Sequence, residues 1–109
     1  MKFDVTDIFK KQFKKLSKKY KNIKKDILAF IENFETEHKK AIKIKNYLYK
    51  IRIKNSDKNK GKSAGYRVYY YLKLEDHIVL LVIYDKSEIE MINEELLKDL
   101  IKDFDAKTK

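Results

Sequence analysis

The stretch YLYKIRIK, residues 47–54, alternates with a period of two: Tyr47, Tyr49, Ile51 and Ile53 point one way, and Leu48, Lys50, Arg52 and Lys54 the other. That pattern predicts a strand with a core face and a cationic face. After a polar loop, NSDKNKGKSAG at 55–65, the alternation resumes in YRVYYYLK, 66–73. Here Tyr66, Val68, Tyr70 and Leu72 share one face, and Arg67, Tyr69, Tyr71 and Lys73 the other. LED at 74–76 turns the chain into HIVLLVIY, 77–84, whose unbroken apolar run suits a central strand covered on both sides. Three such strands in succession predict an antiparallel meander. If the first two pair, Lys50, Arg52 and Lys54 lie alongside Arg67, with Tyr69 and Tyr71 nearby.

Upstream the period is helical. KFDV at 2–5 reads as a short strand, and Thr6 is placed to N-cap a helix carrying Phe9, Phe13, Leu16 and Tyr20 on one stripe. The lysine pairs at 10 and 11, 14 and 15, and 18 and 19 fall mostly off that stripe and give a basic outer surface. Asn22 is placed to cap a second helix burying Ile23, Ile27, Phe30, Ile31 and Phe34, so the two form a helical hairpin. Residues 35–46, ETEHKKAIKIKN, show no clean period and are read as a connection. Asn93 opens a last helix bearing Leu96, Leu97, Leu100, Ile101 and Phe104. The class is α+β: an N-terminal helical hairpin packed on a small antiparallel sheet with a C-terminal helix, in one domain spanning 1–109.

The chain has 109 residues, long enough for one core without metal or disulfide staples, and its lack of cysteine excludes thiolate redox and metal chemistry. Its start has no apolar leader, and the apolar run at 78–84 is too short to span a bilayer, so the expectation is a soluble, cytoplasmic protein with no membrane role. A net charge of +10 points to a polyanionic partner. The Lys-, Ile-, Asn- and Tyr-rich composition is also what an AT-rich genome produces, so single lysines carry little weight. The arginines carry more. Among 27 cationic residues only Arg52 and Arg67 are arginine, which implies positions that need a planar, bidentate donor such as a phosphate clamp offers. Two guanidinium groups beside tyrosine rings are a way to hold single-stranded RNA, the rings stacking bases.

Other patterns carry no chemistry. GKS at 61–63 is not a phosphate-binding P-loop, because the first glycine of that motif would fall at Ser56 and a strand follows. His38 and His77 lack ligand spacing and read as surface residues. Glu94, Glu95, Asp99 and Asp103 read as a solvated helix face. No metal site and no cofactor are expected.

The order YKIRIK, polar loop, GKSAGYRVYYYL, an apolar strand ending IYDKSE, and a helix opening NEELLKDLI resembles the RelE/ParE superfamily of bacterial toxin-antitoxin systems, closest to its RelE and HigB-like members. The resemblance covers nearly the whole chain, and GKSAGYR followed by YDKSE is its most specific part. Two departures stand out: Ala64 replaces the second glycine of the usual GKSGGYR, and no tyrosine follows Glu88, where some RelE members place a catalytic one. The resemblance implies a ribosome-dependent, metal-free endoribonuclease that cuts mRNA on the 70S ribosome and is held inactive by a cognate antitoxin. Such cleavage needs a base for the ribose 2′-OH, stabilisation of the phosphorane, and an acid for the leaving 5′-oxygen. Lys54 is the candidate base, with Arg52 beside it. Arg67, which matches the family's GYR arginine, clamps the phosphate, and Lys86 or Tyr84 meets the leaving oxygen. Lys50, Lys62, Tyr69 and Tyr71, with Lys10, Lys14 and Lys18, are the expected RNA contacts. A ParE-like inhibitor of DNA gyrase and a non-enzymatic RNA-binding domain are the alternatives.

Overall fold

The alternating stretches build a sheet because each strand has apolar residues to bury on at least one face. The computed structural model describes residues 1–59, 61, 64–74, 76–88 and 92–107. Along the chain run β1 (Lys2–Val5), α1 (Asp7–Lys19), α2 (Ile23–Glu32), α3 (Phe34–His38), β2 (Ile42–Lys45), β3 (Leu48–Ile53), β4 (Tyr66–Leu74), β5 (His77–Asp85) and α4 (Glu94–Lys107). The fold is α+β. The strands form one sheet in the order β1-β5-β4-β3-β2. β3, β4 and β5 make the antiparallel meander expected of them. The sheet as a whole is mixed, because β1 lies parallel to β5 with Phe3 opposite Ile78 and Val5 opposite Leu80. Period-two patterning identifies β1 as a strand but says nothing about its partner.

Both faces of the sheet are packed. On one, Ile51, Ile53, Tyr66, Val68, Tyr70, Ile78, Leu80 and Ile83 meet Phe9, Leu16, Ile23, Ile27, Phe30 and Phe34 of the first three helices. On the other, Leu48, Tyr69, Tyr71, Val79, Leu81 and Val82 meet Leu97 and Leu100 of α4. β5 is buried along nearly its whole length, as its unbroken apolar run requires. A fully buried side chain of this size contributes about 1.5–3 kcal/mol, so two such clusters supply a core without disulfide or metal.

The helix signals hold with amendments. Thr6 Oγ1 accepts from Phe9 N at 3.0 Å and donates to the Leu81 carbonyl at 2.7 Å, so one side chain caps α1 and ties it to β5. Asn22 occupies the N-cap position of α2, but its own backbone N–H and side-chain amide donate to Asp57 at 2.9 and 2.8 Å, anchoring the 55–65 loop instead. Asn93 Oδ1 accepts from Leu96 N at 2.8 Å at the start of α4. The 35–46 connection in fact contains most of α3 and all of β2, elements of five and four residues that are too short to show a period.

The histidines are not surface residues. His77 is 9% exposed and bonded to Asp4 at 2.7 Å. His38 Nδ1 lies 2.7 Å from the Tyr70 hydroxyl, and its ring stacks on Phe34. Tyr47, expected on the core face, has φ 68° and is 65% exposed, while Leu48 is buried under α4. Tyr47 thus forms the tight turn between β2 and β3 in a left-handed conformation that non-glycine residues rarely take.

Candidate functional site

β3 and β4 pair in the register that places Arg52 directly opposite Arg67, and β4 and β5 place Arg67 directly opposite Tyr84. One row across three strands therefore reads Arg52, Arg67, Tyr84. The next row is Lys50 and Tyr69, with the Lys50 ammonium 5.5 Å from the Tyr69 ring centre. The Tyr69 and Tyr84 rings stack at 6.4 Å. Further along the same face Leu48, Tyr71 and Val79 lie under α4, so the cationic row occupies the opposite end from that cluster.

Arg67 is only 6% exposed, whereas Arg52 is exposed. The Arg67 guanidinium donates to the carbonyls of Gly65 and Tyr66 at 3.2 and 3.4 Å. Burial, and then the charge of Arg52, lowers its pKa, while Tyr84 and Asp85 act the other way. Like charges directly opposite each other across strands are unfavourable. Burial and the neighbouring Tyr84 phenol push the Tyr69 hydroxyl up to about 12, so it stays a neutral hydrogen-bonding group.

Gly65 explains where Lys54 and Lys86 sit. A β-carbon at residue 65 would fall inside the Ile53 carbonyl oxygen and 3.0 Å from Asn55 N. On the other side the Lys86 N–H donates to the Gly65 carbonyl at 3.1 Å. Only a residue without a side chain lets the end of β3 close on this point, while the Lys86 hydrogen bond sets the turn after β5 on its other side. Lys54, expected alongside Arg67, instead borders a hollow with Asp26, Glu37 and Lys40 beside α2 and α3. Lys86 is exposed. Ala64 carries no positive φ, so glycine is not required there. Lys62 lies outside the described residues.

Two expected contacts fail. Tyr71 is 5% exposed and its hydroxyl donates to Asp105 of α4 at 2.7 Å, so it belongs to the core. Tyr69 is 7% exposed, buried among the same cluster, and offers no open ring for a base. Alternation assigned both to the correct face, but the sequence did not reveal that α4 covers much of it. Lys10, Lys14 and Lys18 are exposed on α1, which packs on the other side of the sheet and shares no face with the arginine row.

Sequence reasoning missed Asp85. Its carboxylate is fully buried and takes hydrogen bonds from Lys58, the Ser87 hydroxyl and backbone N–H, Asn55 and the Tyr20 hydroxyl. Burial alone would push its pKa up, but the hydrogen bonds from Lys58, Ser87 and Asn55 outweigh that and hold it at about 2. Lys58 also donates to the Ala64 carbonyl at 3.0 Å, so one ammonium links Ala64 to the end of β5. Asp85 follows Tyr84, and its network therefore fixes the backbone from which Tyr84 and Lys86 project. A signal was present in the lone aspartate ending an apolar strand, but apart from Ser87 its partners Lys58, Asn55 and Tyr20 lie 27 to 65 residues away.

Among the described residues no group of three or more His, Cys, Asp or Glu side chains gathers as a metal would require, and no helix is long and apolar enough to cross a membrane. No protein-family model matches the chain, and a search of curated proteins finds no match.

Proposed function

We propose that this protein is a RelE-type toxin: a metal-free endoribonuclease that cuts mRNA on the ribosome and is neutralised by a cognate antitoxin. The observation that carries the reading is the cross-strand row Arg52, Arg67, Tyr84, with Lys54 and Lys86 flanking Gly65 one step further along the strands. Arg67 is fixed by backbone carbonyls before any ligand arrives, so it offers a pre-organised donor for a phosphate oxygen. Arg52, exposed and opposite it, supplies the second charge as the phosphorane develops. Tyr84 is half-buried beside Arg67 and is positioned to give a proton to the leaving 5′-oxygen, taking the place of the tyrosine missing after Glu88. Lys86, exposed at the turn after Tyr84, accepts the 2′-OH proton; Lys54 borders α2 and α3 and is not assigned that role. Tyr69 and Tyr71 are buried and take no part in this mechanism.

The test is translation of a defined mRNA on purified 70S ribosomes with the protein added, with cut ends mapped by primer extension. Cuts that require ribosomes and fall at least a hundredfold in Arg67→Gln and Tyr84→Phe are the expected result. Translation arrest or growth arrest without cuts would overturn the nuclease reading and turn attention to gyrase. Full cleavage by Arg67→Gln would overturn the assigned site.

A further inference from the structure

β5 runs on past its parallel partner. β1 ends at Val5, opposite Leu80, so the outer edge of Leu81–Asp85 meets no strand among the described residues. That segment carries Tyr84 to its place opposite Arg67. The pairing with β4 slips at the same point, with Leu80 opposite Tyr70 and Val82 opposite Tyr69, which leaves Leu81 as a bulge. A bulge bends its strand and re-aims the side chains that follow, so the segment beyond it needs a separate anchor. Side chains take the place of the missing strand. Thr6 Oγ1 donates to the Leu81 carbonyl at 2.7 Å, Gln12 Oε1 accepts from Ile83 N at 2.9 Å, and Glu88 Oε1 accepts from Asp85 N at 3.4 Å. Gln12 is the only glutamine in the chain, half-buried on a helix with lysines at 10, 11, 14 and 15 around it.

We propose that Gln12 is a positioning residue for the cleavage reaction: its amide oxygen holds the Ile83 N–H and so sets the reach of the Tyr84 hydroxyl toward the leaving 5′-oxygen. This rests on the reading above that Tyr84 gives up that proton. Lysine, the residue most used in α1, carries three donors and no acceptor and cannot serve an N–H; glutamine supplies a neutral acceptor. Ile83 is 1% exposed, so its N–H reaches water only if the strand moves, and an orphaned buried N–H drives such a movement. Arg52 and Arg67 lie on β3 and β4, so phosphate binding survives a shift confined to the end of β5. Proton transfer does not, because a misplacement approaching 1 Å costs up to about a hundredfold in rate.

The experiment is single-turnover cleavage of a defined mRNA in programmed 70S complexes over a range of protein concentrations, which separates the maximal rate from the half-saturating concentration. Gln12→Met keeps the length of the side chain and removes the acceptor; Gln12→Glu keeps an acceptor. Gln12→Met is expected to lower the maximal rate at least about tenfold with half-saturation within about twofold of wild type, and Gln12→Glu to restore the rate to within about threefold. Hydrogen exchange of the Ile83 amide, read by NMR, should quicken in Gln12→Met and not in Gln12→Glu. Phe13→Leu loosens the same helix without touching this bond and should cut at the wild-type rate. A Gln12→Met protein cutting at the wild-type rate overturns the role, as does a Gln12→Glu protein as slow as Gln12→Met. An equal loss of rate in Phe13→Leu overturns it too, since stability alone then sets the rate. Wild-type protein that leaves the mRNA uncut overturns the nuclease reading and this role with it; cutting by wild type that is indifferent to residue 12 overturns this role alone.

Discussion

Replacing Gly65 by alanine tests the packing that brings the site together, independently of any activity. The added β-carbon meets only backbone: the Ile53 carbonyl oxygen well inside contact distance, with Asn55 N and the Ile53 carbonyl carbon each at 3.0 Å. No side chain can swing aside, so the end of β3 must move away from β4. Overpacking of this kind costs about 1–3 kcal/mol. The stiffer unfolded chain of an alanine variant returns about 0.4–1 kcal/mol. The net loss is about 1–2 kcal/mol, or a fall in melting temperature on the order of 10 °C for a chain of this length. Gly61 is the internal control, since nothing lies within 4 Å of a β-carbon there and its φ is not positive. Gly61→Ala should melt at or slightly above the wild-type temperature. Thermal and urea unfolding followed by circular dichroism read both variants. A Gly65→Ala protein melting within about 2 °C of Gly61→Ala would refute the close approach.

Asp85→Asn leaves the Lys58 ammonium facing a neutral amide and should cost about 2 kcal/mol at pH 7 by urea titration. Because the folded carboxyl is held near 2, below its usual 3.8, the advantage of wild type is complete above pH 3.8 and disappears as pH falls through about 2. Burial lowers the His38 pKa below 6.5, so the fold favours the neutral ring; that contribution is complete above pH 6.5 and is lost progressively below it. His38→Gln, with His77 retained, should show a flatter melting temperature between pH 7.5 and 5.5 than wild type. Tyr71→Phe removes the bond to Asp105 and should cost about 1 kcal/mol while leaving RNA affinity within about twofold, since the ring is core. Arg52→Gln removes a like charge opposite Arg67, so at low salt its melting temperature should rise by on the order of 2 °C, a gain that 0.5 M salt removes, while RNA affinity falls.

The sheet was legible where one rule sufficed. Alternation in 47–54 and 66–73 placed Lys50 and Arg52 alongside Arg67, and the register then sets Arg52 directly opposite it. It could not say which faces are covered. Tyrosine is a strong β-former with an apolar body and a polar tip, so Tyr69 and Tyr71 fit an open stacking face and a buried one equally well. Only the seating of α4, through Leu97, Leu100 and Asp105, decides between them. Contacts between distant parts of the chain were illegible for a related reason. Asp4 meets His77 across 73 residues, and Tyr20 meets Asp85 across 65, and nothing local to either residue names its partner. Gly65 shows the intermediate case. Its rarity in the composition marked it, but the reason is not a left-handed turn; it is the Ile53 carbonyl of the neighbouring strand.

The placement of charge separates a folding role from a binding role. Lysines on α1 are spread around an exposed helix face, where solvent screens them and their cost to stability is small. Arg67 is different, because it is buried, directly opposite another arginine, and donates to two backbone carbonyls. A strand former such as Thr or Val at residue 67 would satisfy the same register without desolvating a cation. An anion at the open end of the sheet reverses that balance: it neutralises the repulsion between Arg52 and Arg67, and it finds one guanidinium already oriented. The Asp85 network lies on the neighbouring face, where Lys58 and Ser87 tie Ala64 and the turn after β5 to the strand end that carries Tyr84. The fold thus accepts an unfavourable pair of charges at the end of this face away from Leu97 and Leu100, with Arg52 exposed and Arg67 buried directly opposite it.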